Sequence, residues 1–228
     1  TIAPANVPFV LLGTGLLWFG WFGFNAGSAL SASALAASAF ATTNTASAAA
    51  GLAWILFDMA KGKKPSALGF CIGAVVGLVA ITPAAGFVTI PSSLFIGTFA
   101  AIISNVVVHW KSTKTSLADT LDVFPCHGVG GAVGMVMTGL LATQAVNGAN
   151  TTGNGLFIDG STHLIFMHLI ALVIVVAFSF FGSLLLLKIT DLISPLKVSA
   201  EEKMAGSDYS QHGEKLFPID FTVKEELA

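Results

Sequence analysis

The stretch Leu164-Ile-Phe-Met-His-Leu-Ile-Ala-Leu-Val-Ile-Val-Val-Ala-Phe-Ser-Phe-Phe-Gly-Ser-Leu-Leu-Leu-Leu187 decides the fold. It contains no Lys, Arg, Asp or Glu, and it is longer than the roughly 20 apolar residues that carry a helix across a bilayer. The same lack of charge extends over residues 1–57, 65–110, 123–158 and 160–187. Of 228 residues, 54% are hydrophobic and 10% are charged, against about 25% charged in soluble domains. A soluble core of this size needs no such unbroken apolar sequence. The reading is therefore an all-α integral membrane protein.

Pro, Gly and charge divide the chain. Spans are expected at about 7–30, 32–57, 67–81, 92–108, 123–143 and 164–187, giving about six transmembrane helices within a domain over 1–195. The second span is rich in Ala, Ser and Thr, which suits a helix packed closely against others. Pro195 stops the last helix, and residues 196–228 form a polar tail. All ten basic residues are lysines, at 61–64, at 111–114 or beyond the last span. The connections at 82–91 and 144–163 carry none. Cytoplasmic loops hold the excess of Lys and Arg, so the lysine loops, the N-terminal end and the tail are all expected inside. Lys111, Lys114, Asp119 and Asp122 fall in an expected loop after the fourth span, and Asp58 reads as a solvated charge. Thr1–Leu12 lacks the basic region of a signal peptide and there is no initiator Met, so the chain is expected to come from something longer. Cys71 and Cys126 lie in apolar segments with no pairing pattern. No metal, cofactor or nucleic-acid partner is expected.

Ionisable and polar groups in apolar spans are functional candidates by default. The richest cluster is Asp122-Val-Phe-Pro-Cys-His127-Gly-Val-Gly130-Gly131. His127 sits in an apolar helix beside glycines, which admit a backbone or a small substrate. An imidazole merely packed against a carbonyl is the competing reading, and the residues alone leave both open. His109, beside Trp110, and His163 read as interfacial, and His168 stays open. A second cluster is Gly20-Trp-Phe-Gly23-Phe24-Asn25-Ala-Gly27-Ser28. By itself it fits helix packing with an aromatic belt.

Together these clusters resemble the Amt/MEP/Rh ammonium transporter family. Gly20 to Ser28 is similar to the family signature without a gap. Asp122-Val-Phe, followed three residues on by His127-Gly-Val, resembles a second motif, and Thr82-Pro83-Ala84 a third. Asp208-Tyr-Ser-Gln-His212-Gly213-Glu214 resembles the bacterial and yeast-type tail. The resemblance runs from Pro4 to about Glu214.

The resemblance implies eleven spans in two inverted five-helix repeats plus a final helix, assembled as a homotrimer. This chain then supplies the second repeat, the last helix and the tail, and its partner is the N-terminal half of the same transporter. The implied function is ammonium or ammonia transport across the cytoplasmic (inner) membrane through a narrow hydrophobic pore. Ammonium is recruited and deprotonated near the outer vestibule, and no enzymatic step is implied. Phe24 becomes a gate ring, Ser28 a vestibule hydroxyl and His127 one of two pore histidines, with Val123 and Thr82 near the path. Asp122, Asp208, His212, Gly213 and Glu214 take structural or regulatory roles, and the tail offers a surface to a PII-type signalling protein.

The chemistry is coherent. A bare cation cannot enter an apolar pore without a large desolvation penalty. Aromatic faces and a hydroxyl hold it at the mouth, low dielectric favours neutral ammonia, and imidazole titrates near neutrality. Two alternatives differ in class. One is an ammonium sensor of the same fold, which would signal through a fused cytoplasmic domain; the segment given after Pro195 is expected to be too short to be one. The other is an intramembrane serine protease using Ser28 and His127, but Gly27-Ser28 is followed by Ala29 where such enzymes carry glycine.

Overall fold

The computed structural model describes residues 6–214, so the expectations for 215–228 and the start of the resemblance at Pro4 lie outside the described residues. The described chain is helical with no strand: α1 Val7–Ala26, α2 Ala34–Ala60, α3 Ala67–Ile81, α4 Ile90–Lys114, a π-helical turn Phe124–Val129 running into α5 Gly130–Leu141, α6 Leu156–Asp159, α7 His163–Ile193, α8 Ala200–Ala205 and α9 Ser207–His212. Helix starts follow side-chain caps that satisfy otherwise orphaned N–H groups. Asn6 accepts from Phe9 N, Ser33 from Ala36 N, Ser66 from Gly69 N and Thr89 from Ser92 N. Pro8 and Pro91 occupy first-turn positions that need no donor.

The core lies where α2 meets α3 and α4. Its buried face is Ala39, Thr42, Thr43, Ala46, Ser47, Ala50, Gly51 and Trp54. Thr42 donates to the Ala85 carbonyl at 2.7 Å and Ser47 to the Ala74 carbonyl at 2.9 Å. The hydroxyls are thus satisfied between helices rather than facing lipid. At Ala46 three backbones converge. A Cβ on Gly77 would lie 2.6 Å from the Ala46 oxygen, and one on Gly97 would overlap the same carbonyl. Without a hydrophobic drive between helices in lipid, close backbone contact of this kind holds them together.

Four helical segments are long and apolar enough to cross a membrane: Val7–Ala29, Ile90–Lys114, Phe124–Leu141 and His163–Ile193. α3 is apolar but shorter. α2 is long, but its polar hydroxyls lower its apolarity because they face protein. The residues up to Ile174 form one compact unit and those from Val175 a second. In the second, Ser199 and Glu202 form a reciprocal capping box at α8, and Gln211 of α9 donates to Glu202 at 3.2 Å. Gly206 and Gly213 take left-handed φ of 92° and 68°.

Two local expectations are corrected. α4 continues past Val108 to Lys114, because Lys111 and Lys114 suit the negative end of the helix dipole, so these lysines are helical rather than in a loop. Asp58 is not a solvated charge. It pairs with Lys63 at 3.4 Å and accepts from the buried Asn105 at 3.1 Å, while Lys61 donates to the other side of that amide at 3.2 Å. α7 runs through Lys188 and Asp191 to Ile193, two residues short of the Pro195 at which the sequence has the last helix stop.

Candidate functional site

The signature Gly20–Ser28 ends α1 and its following 3₁₀ turn, and two polar links fix it to the core. Trp21 Nε1 donates to Thr82 Oγ1 at 2.8 Å, and Thr82 in turn donates to the Leu78 carbonyl at 2.7 Å. Asn25 Nδ2 donates to Thr43 Oγ1 at 2.9 Å, and Thr43 spends its own proton on the Ala39 carbonyl at 2.6 Å. Trp21 packs on Phe24 with ring centroids 5.8 Å apart and planes tilted 59°. Phe24 remains 63% exposed. Ser28 is exposed and donates to the Phe24 carbonyl at 2.6 Å. With that proton committed, the free capacity of its oxygen is to accept. Phe24, Ser28 and Thr82 line one cavity of about 300 Å³ with Leu35, Phe87 and Asn147. The hydroxyl of Ser28 is directed to a carbonyl, and His127 lines a different cavity, so the described chain holds no Ser28–His127 dyad.

The second cluster begins α5 as a π-helical turn. Asp119 caps it: Oδ1 accepts from Val123 N at 2.9 Å and Oδ2 from Phe124 N at 3.0 Å. Burial opposes the charge on Asp119, but the backbone donors of Phe124 and Val123 and the Lys111 ammonium outweigh it and hold its carboxyl below the usual range. Asp122 adopts a left-handed φ of 54° and pairs with Lys111 at 2.6 Å. Lys111 itself is only 6% exposed.

His127 follows within the π turn. It is exposed, its ring has no hydrogen-bond partner among the described residues, and it borders a cavity of about 140 Å³ with Val10, Thr14, Cys71, Val75 and Cys126. Val123 is 51% exposed. His168 has a partner, its Nδ1 lying 2.9 Å from the Met135 carbonyl. Cys71 and Cys126 are free thiols.

Phe24, Ser28 and Thr82 therefore come together, while Val123 and His127 lie on the second cluster. Asp122 belongs to an ion-pair group, and Asp208, His212, Gly213 and Glu214 lie in the second compact unit. Sequence reasoning missed Lys111 and Asp119 as a pair, and Trp21, Asn25 and Thr43 as supports. The signal for the first was present: charges are so sparse that each one next to a span needs a partner.

Long apolar helices in close backbone contact, joined by side-chain hydrogen bonds, define a multi-pass helical membrane protein. Residues 1–217 match the model of the Ammonium Transporter Family, and the chain belongs to that family. It is 44% identical over 219 residues to an ammonium transporter of Bacillus subtilis, covering 94% of this chain and 52% of the relative. The crystal structure of Candida albicans Mep2 superposes with a TM-score of 0.81 at 37% identity, over 92% of this chain and 47% of that one. A structure described as a sensor Amt protein matches with a TM-score of 0.80 at 29% identity, over 91% of this chain and 50% of the other. The chain spans about half the length of the relatives it matches.

Proposed function

We propose that this chain forms one wall of an ammonium-conducting pore, closed by the N-terminal half of the same transporter. The carrying observation is His127: an exposed imidazole without a partner in this chain, on an apolar face, in half of a family fold. Polar groups in a membrane are held by protein or water rather than left to lipid, so this face is one that other protein covers. Ammonium is recruited where Phe24 presents an aromatic face and Ser28 an accepting oxygen, by cation–π attraction and a hydrogen bond. It loses its proton near that vestibule, and the neutral molecule passes Val123 and His127 through apolar surroundings. The protein sits as a homotrimer in the cytoplasmic membrane with its tail inside, where Asp208–Glu214 meets a PII-type signalling protein.

The test is solid-supported membrane electrophysiology on proteoliposomes of the full-length transporter. Ammonium jumps should drive a current that potassium jumps do not, and His127→Ala should abolish the current or its selectivity. The present chain alone should be silent until co-assembled with its other half. A His127→Ala variant with unchanged current and unchanged rejection of potassium would reduce His127 to a packing residue.

A further inference from the structure

We propose that Lys111 is a positioning residue for His127, acting as a clamp that holds the π-helical turn in which that histidine sits. This rests on the reading of His127 as a pore residue. A lysine with 7% of its side chain accessible is unusual and needs compensation. Its compensation is aimed at one place. The ammonium pairs with Asp122 Oδ1 at 2.6 Å and Asp119 Oδ2 at 3.4 Å, and it also donates to the Asp119 backbone carbonyl. Asp119 uses both carboxylate oxygens to cap Val123 N and Phe124 N, the start of the turn. Asp122, the residue just before Val123, holds the left-handed backbone that redirects the chain into it. For a side chain with a Cβ that conformation is unfavourable, least so for Asp and Asn, and it persists where neighbours enforce it.

The π turn explains why enforcement matters. A π turn holds one residue more than the α-helical register, and such turns are rare and concentrated at functional sites. Relaxation to α register would rotate the chain on one side of the turn by about 100° relative to the other, the angle of one helical residue. The downstream side cannot yield, because a Cβ on Gly134 of α5 would overlap the Ala80 carbonyl of α3. The upstream side would have to swing, and His127, inside the turn, would be displaced with it. Lys111 reaches across from the last turn of α4 and ties that side down through both acids. Its action on His127 is indirect, through Asp119 and Asp122.

The experiment uses the full-length transporter in proteoliposomes, with uptake normalised to reconstituted protein. Lys111→Met keeps the stem and removes the charge. It should lower maximal uptake on the order of tenfold to a hundredfold, the scale of a displaced reactive group. The ammonium-to-potassium current ratio should fall too, with KM within about twofold because recruitment at Phe24 and Ser28 is untouched. Lys111→Arg should restore most of the rate and selectivity.

Wild-type rate and selectivity in Lys111→Met, or an effect on KM alone, would overturn the proposal. If Lys111→Met fails to accumulate, Lys111→Met/Asp122→Asn removes the pair together and decides. A low rate with normal accumulation supports the clamp. A wild-type rate refutes it, as does failure of this variant to accumulate, since the cluster would then be a general staple. A wild type that passes no ammonium current, or an indifferent His127→Ala, would instead refute the pore reading itself.

Discussion

Thr82→Val removes one oxygen and keeps the shape of the side chain, so it isolates the link between the signature helix and the core. Two groups lose their partner. Trp21 Nε1–H, now 2.8 Å from Thr82 Oγ1, faces a methyl, and the Leu78 carbonyl loses the hydroxyl donor at 2.7 Å. The Thr82 backbone N–H offers no simple substitute, since it is directed to the Val79 carbonyl at 3.3 Å. Leaving a part-buried donor unsatisfied costs about 1–3 kcal/mol. Thr82→Ser retains the oxygen and should stay near wild type.

The assay is reversible unfolding by SDS titration in mixed micelles, run as a cycle of Thr82→Val, Trp21→Phe and the double variant. If the bond is real, the two single losses should not add, and the coupling should reach about 1 kcal/mol, within the range found for residues in contact. The functional corollary concerns Phe24, which leans on Trp21. Loosening Trp21 should raise KM for ammonium before it lowers maximal uptake. Additivity within about 0.5 kcal/mol, the behaviour of independent sites, would refute the link and leave Thr82 as a helix-end residue only.

Gly97→Val should stop the protein accumulating in the membrane, because its branched side chain would drive α4 off the Ala46 carbonyl of α2; an equal membrane level and unfolding midpoint would contradict the packing described. Asp119→Asn should lower the unfolding midpoint at neutral pH. Because the folded-state carboxyl is held below its usual range, its stabilisation is complete above the unfolded value and is lost as pH falls through the folded one. The gap between wild type and variant should therefore stay flat from pH 8 to about pH 5 and close only below about pH 4; a gap already closed at pH 6 would contradict the cap.

Much of the architecture was legible because the bilayer imposes a one-dimensional rule. Unbroken apolar length marks spans such as 164–187, and the small residues of α2 announced close packing. The clusters around Phe24 and His127 stood out for the complementary reason, being polar or glycine-rich where lipid-facing sequence is not. What stayed hidden depends on pairings across sequence distance. Trp21 reaches Thr82 and Asn25 reaches Thr43, and each of these residues alone is ordinary in an aromatic or small-residue helix. Asp58 looked solvated because its neighbours in sequence are lysines, whereas its second partner, Asn105, lies on another helix. The π turn was invisible for a deeper reason. The segment is flanked by contacts distant in sequence: Gly134 against Ala80 on one side, and Asp119, Asp122 and Lys111 on the other. In a chain with so few charges, two acids beside one buried lysine mark the place where the backbone departs from the helix that its own sequence would choose.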